Sequence, residues 1–145
     1  MKKYLGILSA LIFISAYSYG QTVNDVVCAF TKNVNGKVFT KKDDGSRFVN
    51  FTITGIKSND QAEILTENVR KTSTVLEFTI SDEAANNERN AYIHIKQGTK
   101  ITAMWDVLLT NGINYIKLDD KIFLVSDKKL RAEKRQQKML NNKTP

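Results

Sequence analysis

Between residues 47 and 125 the spacing of apolar side chains changes period, from two to three-or-four and back, and it does so twice. Val49, Phe51 and Ile53 alternate with Asn50, Thr52 and Thr54, the period of a strand with one buried face. Gly55 ends the run. Ser58 then offers a hydroxyl to the start of a helix, with Gln61 three residues on at the spacing of a capping box. Ala62, Leu65 and Val69 follow at helical intervals while Glu63, Glu67 and Arg70 take the opposite side. The spacing predicts a helix over 59–71.

The same alternation repeats downstream. A strand is expected over 75–80, with Leu76, Phe78 and Ile80 on one face, then a solvated loop over 81–90. Ala91, Ile93 and Ile95 form the next strand. Ile101, Met104, Trp105 and Leu108 share the face of a second helix, which Gly112 closes. Residues 115–118 and 122–125 are strand-like, joined by a turn at Asp119-Asp120-Lys121. The order strand, helix, strand, strand, helix, strand predicts an α+β fold: a ferredoxin-like βαββαβ sandwich, its antiparallel sheet carrying two helices on one face. Residues 47–126 make up this domain.

What flanks it reads differently. Residues 1–20 place Lys2 and Lys3 ahead of a mainly apolar, uncharged stretch from Leu5 to Ala16 and end on small residues, the three-part pattern of a secretory signal peptide cleaved after Gly20. Residues 21–46 are a short β-rich leader. Asn35-Gly36 suits a tight hairpin that would pair 30–34 with 37–40, the alternative being an irregular path whose Val26, Val27 and Phe30 dock on the main domain. Residues 127–145 form a basic, flexible tail able to make a short charged helix. The formal net charge is +7, but it is concentrated at the ends. From Lys128 onward there are five Lys and two Arg against Glu133 alone, so that 21–127 is nearly neutral. Export and this distribution argue against a nucleic-acid partner, and after leader cleavage no stretch reaches the ~18 to 20 apolar residues of a membrane helix.

Chemistry is sparse. One His and one Cys leave little from which to assemble a nucleophile with its base. The lone Cys28, among Val26, Val27, Ala29 and Phe30, reads as a buried thiol. Asp43-Asp44 and Asp119-Asp120 read as solvated turn residues.

Two stretches, VNFTITGIKSNDQAEIL and AYIHIKQGTKITAMWDVLLTNGINYIKL, resemble the heavy-metal-associated domain of copper chaperones and periplasmic mercury-binding proteins over about half the chain. In that family a Gly-Met-x-Cys-x-x-Cys loop holds a soft metal with two thiolates at a helix start. Gly55 matches, Ile56 replaces the Met, and Ser58 and Gln61 stand at the cysteine positions. The resemblance therefore implies the fold, with no metal, no cofactor and no catalytic residues. The resulting expectation is a non-catalytic, exported protein-interaction module of the bacterial cell envelope, periplasmic or secreted, with a protein partner on the open sheet face at Tyr92, His94, Lys96 and Tyr115. The alternative is a metal-handling protein with a displaced site.

Overall fold

The computed structural model describes residues 25–82 and 85–141, so the expected signal peptide lies outside the described residues. The chain forms β1 (Val27–Phe30), β2 (Thr40–Lys41), β3 (Arg47–Thr54), α1 (Asn59–Arg70), β4 (Val75–Ile80), β5 (Arg89–Ile95), α2 (Ile101–Thr110), β6 (Tyr115–Leu118), β7 (Lys121–Leu124) and α3 (Val125–Asn141). All seven strands join one sheet in the order β4-β5-β3-β1-β6-β7, with β2 on β3.

The sheet is mixed, not antiparallel throughout. β1 pairs antiparallel with β3 through Cys28 and Ile53, and parallel with β6 through Cys28 and Ile116. The segment read as a leader thus supplies a central strand. The expected hairpin over 30–40 is replaced by a turn in which the Asn33 side chain accepts from the backbone N–H groups of Asn35 and Lys37. Phe30 is already committed to the β1 ladder, and it is Asp43-Asp44-Gly45 that closes a hairpin, between β2 and β3.

One face of the sheet and the helices enclose a single core. Phe51 lies at its middle, its ring centroid 4.9 Å from that of Phe30 and 6.4 Å from that of Phe78. Ala62, Leu65 and Val69 of α1 and Met104, Val107 and Leu108 of α2 close over it. α1 starts as its cap chemistry dictates: Gln61 N–H donates to Ser58 Oγ at 3.1 Å, and Gln61 Oε1 accepts from Lys57 N–H at 2.8 Å. α2 ends in a paired-bond cap, Gly112 N–H to the Leu109 carbonyl and Ile113 N–H to that of Leu108, with Gly112 at φ +74°.

The tail is helical from Val125 to Asn141. Val125 is fully buried, and Lys129 reaches Asp106 of α2 at 2.6 Å, so the first turns of α3 are docked. Leu130, Met139 and Leu140 remain exposed. Among the described residues no helix is long and apolar enough to cross a membrane.

Candidate functional site

The bend at Gly55, where the resembled family holds its metal, is built for close approach of two backbones. Gly55 has φ +86°, and a Cβ there would lie 2.2 Å from the Asp25 carbonyl oxygen. The side chains at the two cysteine positions are both occupied in capping α1. Among the described residues no group of three or more His, Cys, Asp or Glu is placed to hold a metal ion. The soft donors are also dispersed. Cys28 is wholly buried on the core side of β1, where burial pushes its thiol far above its ordinary pKa, Met104 is buried on α2, and His94 is on the opposite face of the sheet.

That outer face carries the four side chains expected as an interaction surface, but it separates them. Tyr92 and His94 are neighbours on β5, with ring centroids 6.4 Å apart, and Phe48 joins them 6.0 Å from Tyr92. Lys96 lies just beyond β5, its carbonyl accepting from the Thr99 hydroxyl. Tyr115 is opposite Val27 on β6, three strand spacings from β5, or about 14 Å.

His94 is further engaged. Ser46, almost completely buried, donates its hydroxyl proton to Asp44 Oδ1 at 2.5 Å and lies 2.7 Å from His94 Nε2. With the hydroxyl proton committed to Asp44, the Nε2–H of His94 donates to Ser46 Oγ. A catalytic trio would put the imidazole between the other two groups so that it could take the hydroxyl proton. Here the hydroxyl is in the middle, and the chain of bonds ties the β2–β3 hairpin to β5. The Ser46 hydroxyl, then the Ser46 backbone N–H, hold the Asp44 carboxyl below its usual range, with His94 and Lys42 adding to the effect. Because the folded pKa lies below the unfolded one, this contribution is complete above the unfolded value of about 3.9 and is lost as pH falls through the folded value. Thermal unfolding followed from neutral pH down to about 2 should therefore show the wild-type midpoint falling more steeply than that of Asp44→Asn.

A further organised feature, mainly apolar, is on the helix side of the sheet, at the place where the chain leaves β1 and has not yet entered β2. A cavity of about 480 Å³ opens there. Phe30, Ile116 and Leu118 of the sheet, Met104 and Trp105 of α2, and Phe39 of the connecting segment form its apolar wall. Lys37, Lys41, Arg47 and Lys128 complete the lining, and no carboxylate belongs to it. Register explains part of this convergence. Lys41 pairs with Arg47 across the β2–β3 ladder, and cross-strand partners project from the same face, the one that carries Val49 and Phe51.

Lys128 arrives from the first turns of α3. Its ammonium is 3.7 Å from the centroid of the Phe123 ring, a cation–π approach. Partial burial, then the charges of Arg131, Arg135 and Lys32, hold its pKa below that of an ordinary lysine. Among the described residues none of the four lining cations forms an ion pair with a carboxylate. Lys32, nearby in sequence, is paired with Asp119.

A buried cation escaped sequence reading. Arg89 opens β5 on its core face, and its Nη1 donates to Asn59 Oδ1 at 2.9 Å at the start of α1. The only signal is positional: Arg89 keeps the odd-numbered alternation of Ala91, Ile93 and Ile95.

Comparison with protein-family models, with curated proteins and with solved structures finds no match to this chain. The cavity and its charge therefore carry the functional reading.

Proposed function

We propose that this chain is an exported, non-catalytic binding module of the cell envelope, and that it binds an anionic, apolar partner through the cavity between β1, α2 and α3. The observation that carries the proposal is the lining itself: an apolar wall joined by four cations with no carboxylate among them. A cavity of roughly 300 to 1,000 Å³ is the size at which small-molecule sites are found. An arriving anion meets ammonium and guanidinium groups that no carboxylate neutralises, so its charge is complementary to the lining.

The frame supporting this site is read as a ferredoxin-like sandwich with additions. Leaving out β1 and β7, the neighbour order becomes β4-β5-β3-β6, and α1 and α2 each connect strands that are not adjacent. The neighbour order and crossovers favour that reading. On it, the inserted β1 widens the gap between β3 and β6, and the cavity occupies the widened end of the sheet.

An anilinonaphthalene sulfonate dye, aromatic and anionic, provides the test. The chain is expressed with its own leader and purified after export. It should bind the dye at one saturable site and transfer Trp105 emission to it. Charge reversal at Arg47→Glu with Lys128→Glu should weaken binding at least ~10-fold, equivalent to about 1.4 kcal/mol. Absence of a saturable site, or unchanged affinity in the double variant, would refute the proposal.

A further inference from the structure

We propose that the ligand of this cavity is a single-chain fatty acid, its hydrocarbon chain against Phe30, Met104, Trp105 and Leu118 and its carboxylate among Lys37, Lys41, Arg47 and Lys128. The inference rests on the cavity being the binding site.

It follows from which groups the lining lacks. Apart from the four cations, no lining side chain is a hydroxyl, a carboxamide, an imidazole or a carboxylate. A sugar or a nucleobase placed inside would leave its buried donors without side-chain acceptors, at a cost of roughly 1 to 3 kcal/mol per group. An acidic peptide meets the same difficulty, because each of its backbone amides must be matched. A hydrocarbon chain carries no such groups. Its burial gains about 0.8 kcal/mol per methylene, and the unbranched side chain of Met104 can adapt to it.

The charge falls on one end of such a molecule. Arg47 offers a planar pair of donors that suits a carboxylate. Lys37 and Lys41, from the chain around β2, and Lys128, from α3, add charges from two sides.

The test uses delipidated protein, exported and purified as above, with Trp105 fluorescence and calorimetry as readouts. Laurate, below its micelle concentration, should saturate one site. Dodecanol, with the same chain and no charge, should bind at least ~10-fold more weakly, and so should laurate to Arg47→Glu/Lys128→Glu. Acetate should not compete. A cavity-filling Leu118→Trp variant, with unchanged circular dichroism, should lose laurate uptake. If that variant fails to fold, the charge-reversal pair still decides.

Dodecanol binding as well as laurate, or acetate displacing it, would overturn the assignment. So would association with phosphatidylglycerol vesicles in place of uptake of monomeric laurate. Binding of the sulfonate dye without laurate would overturn the fatty-acid assignment and leave the cavity as the binding site. Failure of both ligands would remove both proposals.

Discussion

Gly55→Ala is expected to destabilise the fold by more than about 3 kcal/mol, while Gly112→Ala, at a φ of the same sign, should cost only about 1 to 2 kcal/mol. The two sites isolate the difference between dihedral strain and a steric block. A Cβ at Gly112 meets nothing within 4 Å, so its substitution carries the left-handed backbone penalty alone. At Gly55 the same penalty is joined by backbone overlap, with the Asp25 carbonyl oxygen 2.2 Å and its carbon 2.8 Å from the new atom. Backbone cannot swing aside as a side-chain tip can. Asp25 leads directly into β1, which lies between β3 and β6. Relief therefore has to come from shifting a central strand. Chemical denaturation of both variants beside wild type measures the difference, and equal losses would show that the β1 entry is not held against Gly55.

Phe51→Ala should be comparably damaging, by about 3 to 5 kcal/mol. The ring is 5 % exposed and meets Phe30 on one side and Phe78 on the other, so it bridges β1 and β4 across the core. Truncation leaves a void between two rings that are themselves fixed in strands, where collapse is restricted. It also removes two aromatic pairs, each worth about 0.5 to 1.5 kcal/mol beyond buried area. Denaturant midpoints with an unchanged slope would confirm a loss confined to the native state. A loss below about 1 kcal/mol would mean that the neighbours refill the space.

The elements that carry a period were legible in the sequence. β3, β4, β5, β6 and both helices of the central region occur at the expected places, because a buried face imposes alternation or helical spacing on them; in β4, however, the register shifts between Val75 and Glu77, so Val75 is buried and Leu76, expected on one face with Phe78 and Ile80, is exposed. Ser58 was legible for the same local reason: its hydroxyl caps the helix that it begins. β1 was not. Val27, Cys28 and Phe30 are all buried, so Val-Cys-Ala-Phe has no polar face, and a short apolar run reads equally well as a docked leader. α3 was underestimated because most of its surface is charged and only its first turns dock.

The cavity lay further beyond reach. Lys37, Lys41, Arg47 and Lys128 carry no motif and come from distant parts of the chain. They meet because β1 leaves the sheet early and β2 enters late, with the start of α3 nearby. The outer-face residues illustrate the converse. Tyr92 and His94 are together as strand alternation implies, whereas Tyr115 is distant because the position of β1 between β3 and β6 could not be read from spacing.

The place of β1 has a consequence for how the polypeptide is made. Val27–Phe30 leaves the ribosome early, yet its parallel partner Tyr115–Leu118 is synthesised about 90 positions later, a separation that slows closure of the sheet. Until then the nascent molecule cannot complete its hydrogen-bonded ladder. Strand placement thereby defers completion of the sheet until β6 has been made.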